Sequence, residues 1–96
     1  MRTPTKYEGA DYARPAILRT EFPETIRLAR HCAQLWFHGD SGGTLAEFRD
    51  LKCAEHCQRY KEPETQRMLR TFAFERAYAE EVGRYIVERR NATPIA

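Results

Sequence analysis

Residues 64–90 read ETQRMLRTFAFERAYAEEVGRYIVERR, which is the longest helical pattern in the chain. It contains no proline and its apolar residues recur with a helical period, so we predict one continuous helix about 40 Å long. A compact domain of 96 residues is only about 32 Å across. Part of this helix is therefore expected to project from the domain or to pack against another chain.

The predicted third helix is apolar on two opposite faces when its residues are placed at about 100° intervals. One face carries Met68, Leu69, Phe72, Ala79, Gly83, Ile86 and Val87. The opposite face carries Phe74, Tyr78 and Tyr85. Because an ordinary surface helix has one apolar stripe, the second face predicts a second packing partner.

Two shorter helices are predicted before the long one. Pro23 suits the first position of a helix and Gly39 follows its last turn, which gives a first helix over 23–38. Thr44 and Glu47 have capping-box spacing at the start of a second helix over 44–61. The core face of the first helix is predicted to consist of Phe22, Ile26, Ala29, Ala33 and Trp36.

No segment has the pattern of a strand, so the fold class is all-α. The short connections favour antiparallel neighbours, and we predict a three-helix bundle-like domain over residues 23–90. Residues 1–22 contain Pro4, Gly9 and Pro15 with little periodicity, which indicates an irregular N-terminal arm. Residues 91–96 are predicted to form a C-terminal tail.

Bulk composition narrows the possible environments. The 16 basic and 14 acidic residues give a net charge of +2, so no overall basic character points to nucleic acid or to an anionic membrane. No apolar run is long enough for a membrane span, and the N-terminus lacks the apolar segment of a signal peptide. We therefore expect a cytoplasmic protein that does not bind membranes.

The chain has three cysteines, and an odd number fits reduced thiols better than a disulfide framework. An antiparallel hairpin would bring Cys32 near Cys53, with Cys57 one turn further, so a zinc site completed by His56 remains an alternative. His56 points away from both cysteines of its helix, however, and cysteine commonly serves as a small core residue. We expect buried free thiols, with no metal and no cofactor.

The second helix has a basic stripe formed by Arg49, Lys52, His56 and Arg59, at spacings of three, four and three residues. Such a stripe can contact phosphates or an acidic protein surface. It is equally typical of a solvated face whose charges pair with neighbouring glutamates. The pattern alone does not decide between these alternatives.

No catalytic constellation is visible. Paired carboxylates, a phosphate-binding glycine loop and a nucleophile with an adjacent base are all missing from the sequence pattern, so we expect no enzymatic activity.

Helix lengths predict where a partner binds. The two shorter helices are expected to cover the long one only as far as Glu81, which leaves Val82, Tyr85, Ile86 and Val87 uncovered. A second copy of the chain is the simplest cover. The residues predicted to contact a protein partner are Phe74, Tyr78, Val82, Tyr85 and Ile86.

These observations predict a small non-enzymatic helical interaction module. It would act as a regulator, adaptor or inhibitor by binding another, unidentified protein, and it would itself be a homodimer. Its small size would suit a phage or plasmid accessory protein. The alternative is a nucleic-acid-binding regulator that uses the basic stripe of the second helix.

Overall fold

A computed structural model describes residues 21–39 and 43–92. They form three helices, α1 (Pro23–Phe37), α2 (Leu45–Cys57) and α3 (Glu64–Ala92). No strand occurs within these two ranges, and the predicted all-α, three-helix fold is confirmed. Most of the predicted arm over 1–22, and residues 93–96 of the predicted tail, lie outside the described residues.

The first helix begins and ends close to its predicted bounds. Pro23 occupies the first turn, where its missing N–H removes no helical hydrogen bond. At the other end, Gly39 has a φ of +79°, a conformation that side-chain-bearing residues rarely adopt. The N–H of Gly39 donates to the carbonyl of Trp36 at 3.1 Å, which closes the last turn.

The predicted capping box opens α2. The backbone N–H of Glu47 donates to Thr44 Oγ1 at 3.1 Å, and Glu47 Oε1 accepts from the N–H of Thr44 at 2.8 Å. The helix ends at Cys57, four residues before the predicted end at position 61. The extension to 61 is wrong because Tyr60 and Glu62 turn instead towards Arg70 on α3, and these tertiary contacts outweigh a weak helical preference.

The third helix has 29 residues and is about 43 Å long. It continues to Ala92, two residues beyond the predicted end. Of the two shorter helices, α1 makes the more extensive contact with it. Because α1 and α2 both pack on one side of α3, its other side is left without a neighbour among the described residues.

The core lies between the three helices and is built mainly from small and aromatic side chains. Its buried apolar members are Phe22, Ile26, Ala29, Cys32, Ala33, Phe48, Cys53, Cys57, Ala73, Phe74, Ala77 and Tyr78. The predicted core face of α1 is therefore confirmed, with Trp36 only half-buried at its edge. None of the described helices is long and apolar enough to cross a membrane.

Candidate interaction surface

The inner face of α3 carries Phe74 and Tyr78, whose side chains are 0% and 1% exposed. Their rings are stacked with centroids 6.3 Å apart, and the Tyr78 hydroxyl donates to the carbonyl of Leu45 on α2 at 2.9 Å. Burial raises the pKa of Tyr78 above its ordinary value. The prediction that Phe74 and Tyr78 contact a partner is wrong, because α1 and α2 of the same chain already enclose them.

The bundle also covers α3 further than its helix lengths suggested. Phe37, the last residue of α1, stacks on Tyr85 with ring centroids 3.7 Å apart and an angle of 13° between the rings. Val82 is half-buried and packs against the core. The predicted limit of cover at Glu81 is therefore wrong. Of the residues predicted to contact a partner, Ile86 alone is classed as exposed.

The outward face of α3 is apolar and open to solvent. Its large side chains are Met68, Phe72, Ile86 and Val87, which are 42–54% exposed. Ala79 and Gly83 lie between them and are also exposed, and no atom lies within 4 Å of the position that a Cβ would occupy on Gly83. The sequence grouped these residues on one face correctly, and the structure makes this face the unpartnered one. We call Met68, Phe72, Ala79, Gly83, Ile86 and Val87 the outward face.

A polar cluster ties the three helices together at the other end of the core. Arg70 on α3 donates from Nε and Nη2 to the two carboxylate oxygens of Glu62, at 2.9 and 3.0 Å, and from Nη1 to Thr25 Oγ1 on α1 at 2.9 Å. Its guanidinium lies over the rings of Tyr60, at 3.5 Å, and Phe22, at 4.9 Å. The hydrogen bonds from Arg70 lower the pKa of Glu62.

His56 belongs to this cluster and not to a solvent-facing stripe. It is buried, its Nε2 lies 2.7 Å from Thr25 Oγ1, and its ring packs edge-on against Tyr60. Burial lowers the pKa of His56, and the charge of Arg70 lowers it further. The prediction that His56 contacts nucleic acid or an acidic partner is wrong, because the core side of α2 encloses the imidazole.

The remaining members of the stripe do not form a continuous basic surface. Arg49 pairs with Asp50 at 2.8 Å, and Lys52 pairs with Glu55 at 3.2 Å while lying over the ring of Phe48. Arg59 is exposed beyond the end of α2. Nearby carboxylates therefore offset most of the charge that the sequence placed on this face.

A buried carboxylate lies near the far end of the bundle. Glu81 accepts hydrogen bonds from Gln34 on α1 and from Arg84 on α3. Burial alone raises the pKa of Glu81, but the bonds from Arg84 and Gln34 outweigh that effect and lower it. The hydrogen bond from Gln34 to Glu81 joins α1 to α3 at the position where the sequence predicts that the shorter helices stop covering α3.

The three cysteines are free thiols in the core, as the sequence predicted. Burial raises the pKa of Cys32, and burial together with the neighbouring Cys57 raises that of Cys53 to about 12. Cys53 and Cys57 border a cleft of about 360 Å³ between α2 and α3. Because the thiolate is the nucleophilic form of cysteine, the raised pKa makes Cys32 and Cys53 poor nucleophiles at neutral pH. Within residues 21–39 and 43–92, no group of three or more histidine, cysteine or acidic side chains is placed to hold a metal ion.

Sequence reasoning missed the buried polar residues. Thr25 follows the helical spacing of Ala29 and Cys32, so its position on the core face was visible, but a threonine near a helix start was not counted as a core residue. Arg70 pairs with Glu62, which lies on the other side of Pro63. Helical periodicity does not predict such a pair. The outward face was visible as a group, and the exposure of Ile86 and Val87 was predicted from helix lengths, but that of Met68 and Phe72 was not.

Comparison with known proteins adds no relative. No family model matches the chain, and neither a curated protein nor a solved structure is significantly similar to it.

Proposed function

We propose that this protein is a small non-enzymatic interaction module that binds another protein chain through the outward face of α3. The single observation that carries the proposal is the exposure of four large apolar side chains along one side of a helix whose other side is packed in the core. Soluble domains seldom leave several large apolar side chains exposed along one helix face unless that face binds something.

Burial of this surface would favour association. Covering a half-exposed large apolar side chain contributes about 1 kcal/mol, so the four together supply several kcal/mol before the entropic cost of binding. A rigid helix presents them in a fixed arrangement, which keeps the ordering cost low. This is the surface of a helix that pairs with another helix.

Through this surface the module would act as a regulator, adaptor or inhibitor, with a homodimer as its simplest assembly. Its three free, buried thiols suit a reducing compartment, which supports a cytoplasmic site of action. The small size of the chain would suit an accessory protein of a phage or plasmid.

Nucleic-acid binding receives less support. Of the four residues in the stripe, one is buried and two are paired with carboxylates. Exposed ion pairs of this kind are weak and can rearrange, but the stripe as it stands offers little net positive charge to a phosphate backbone.

A pull-down with nuclease-treated lysate and mass spectrometry tests the proposal. The baits are the wild type, Phe72→Glu on the outward face, and Leu51→Glu as a matched control. Leu51 is an exposed apolar residue on α2, so its substitution introduces the same charge on another surface. We expect the wild type and Leu51→Glu to retain the same protein partner, and an untagged copy of this chain counts as such a partner. Phe72→Glu should lose this partner. Equal retention by all three baits would contradict a role for the outward face.

A further inference from the structure

We propose that the outward face binds a second copy of this chain, with the two α3 helices antiparallel and a two-fold axis passing beside Ala79. This inference rests on the proposed function, because it names the partner of the same surface. It is carried by the symmetry of the side chains along α3, which makes the face complementary to itself.

Two of the large apolar residues of the outward face are arranged symmetrically about Ala79. Phe72 and Ile86 lie one heptad before and one heptad after it, on the same side of the helix. In an antiparallel pair centred on Ala79, Phe72 of each copy therefore lies opposite Ile86 of the other. The small Ala79 side chains meet at the centre, where they let the two backbones approach closely.

One flank of the face repeats this self-complementarity. Leu69 is half-buried against the core of its own chain and lies 10 residues before Ala79, on the same flank as the exposed Val87, which lies 8 residues after it. A two-fold axis brings the exposed part of Leu69 near Val87 of the other copy. Between them lie Arg76 and Glu80, which are both exposed and lie 3.7 Å apart within one chain. In the antiparallel pair, Arg76 of each copy comes near Glu80 of the other, so two interchain ion pairs flank the centre.

The ends of the helix favour the same orientation. The first turn of α3 carries Glu64, and the last turn carries Arg89 and Arg90. An antiparallel pair places Glu64 of one copy near Arg90 of the other, while Arg67 lies in the same turn as Glu64, and it also opposes the two helix dipoles. A parallel pair would place Arg90 against Arg90 and join four basic side chains at one end.

The described part of the chain leaves room for this pairing. α1 and α2 pack against the face of α3 that carries Phe74 and Tyr78. The outward face points the other way, and the bundle of each copy therefore lies outside the helix pair. Two copies can approach along most of the length of α3.

A distance measurement between two spin labels tests the orientation. An Asn91→Cys substitution places one label near the end of α3 and away from the charged and apolar residues of the pairing, and brief labelling spares the three native thiols because they are buried. Position 91 lies 12 residues from Ala79, so an antiparallel pair separates the two labels by about 36 Å along the helix axis. A parallel pair separates them by little more than the interaxial distance of about 8–10 Å plus the label arms.

We expect a dimer with the long distance, and its loss when Phe72→Glu is added to the labelled chain. A dimer with the short distance would overturn the antiparallel inference while leaving the proposed function intact. A dimer that persists unchanged with Phe72→Glu would contradict both. A chain that stays monomeric would overturn the inference, and the pull-down above then decides the proposed function.

Charge reversal provides a second readout. Arg76→Glu places two acidic residues near each other across the axis and should weaken dimerisation about fivefold. Combining Arg76→Glu with Glu80→Arg restores opposite charges and should return the dissociation constant close to that of the wild type. Failure of the double variant to recover would contradict the predicted register.

Discussion

Arg70 makes three side-chain hydrogen bonds at the edge of the core. Its side chain is about one-tenth exposed, as is that of Glu62, and it joins Thr25 of α1 to the α2–α3 connection. A guanidinium fits this position because its planar fork matches the carboxylate while its faces stack on aromatic rings. An ammonium group has neither property.

We predict that Arg70→Ala lowers the free energy of unfolding by about 3 kcal/mol, since it leaves Glu62 charged and poorly hydrated and removes a donor to Thr25. Arg70→Lys should recover less than half of this loss. Urea denaturation followed by circular dichroism measures both effects. Arg49→Ala is the control, because Arg49 forms a more exposed pair with Asp50 and its removal should change stability by less than about 1 kcal/mol. Equal effects at positions 70 and 49 would contradict the importance of the buried cluster.

His56 should make the fold sensitive to mild acid. Burial and the charge of Arg70 hold the pKa of His56 in the folded protein below its ordinary value of 6.5, against smaller opposing effects of Glu24 and Glu62. The folded state therefore binds fewer protons than the unfolded state, and stability is lost as the pH falls below about 6.5. Glu62 has its pKa lowered from 4.5, so its own contribution is lost only at lower pH.

We expect the free energy of unfolding of the wild type to fall between pH 7.5 and pH 5, and that of His56→Gln to fall much less over the same interval. Glutamine can still hydrogen-bond to Thr25 but does not titrate. The two exposed histidines, His31 and His38, remain in both proteins, so the difference isolates His56. Parallel pH profiles for the two proteins would show that His56 is not the group responsible.

At the scale of helices, periodicity and end signals predicted three elements and most of their bounds. Pro23, Gly39 and the Thr44 capping box act locally, so the sequence reports them directly. The end of α2 was misplaced because Tyr60 and Glu62 are fixed by Arg70, which is remote from them in sequence. Local patterns carry no information about such a contact.

The two apolar faces of α3 also show what a local sequence pattern does not predict. Helical spacing separated the apolar residues into two groups, and both groups are real. Spacing does not report which group packs inside, because Phe72 and Phe74 have equal hydrophobicity and differ only in direction. The inner face of α3 is the one that α1 contacts. α1 packs on Phe74 and Tyr78, and its last residue, Phe37, stacks on Tyr85.

The capping box of α2 provides a test at this scale. Thr44→Ala removes the acceptor for the N–H of Glu47 and should destabilise the protein by about 1 kcal/mol. Thr44→Ser keeps the hydroxyl and should be close to neutral. Thermal unfolding of the three proteins at one concentration measures the difference, and an unchanged midpoint for Thr44→Ala would show that the box does not contribute.

In the whole molecule, one side of α3 forms the core and the other side is exposed. The inner side builds the domain, with the Arg70 cluster near one end and the bond between Gln34 and Glu81 near the other. The outer side keeps four large apolar side chains in solvent. A second copy placed against this side would complete the burial that a chain of 96 residues does not achieve alone.

The most direct test of this account is the molar mass in solution, measured by sedimentation equilibrium over a range of micromolar concentrations. We predict that the wild type and Leu51→Glu have twice the mass of one chain at the upper end of the range, and that Phe72→Glu and Ile86→Glu have the mass of a monomer. Circular dichroism should show the same helix content in all four, so that loss of folding is not mistaken for loss of association. A wild type that stays monomeric throughout, or a dimer that Leu51→Glu disrupts and Phe72→Glu spares, would contradict self-association through the outward face.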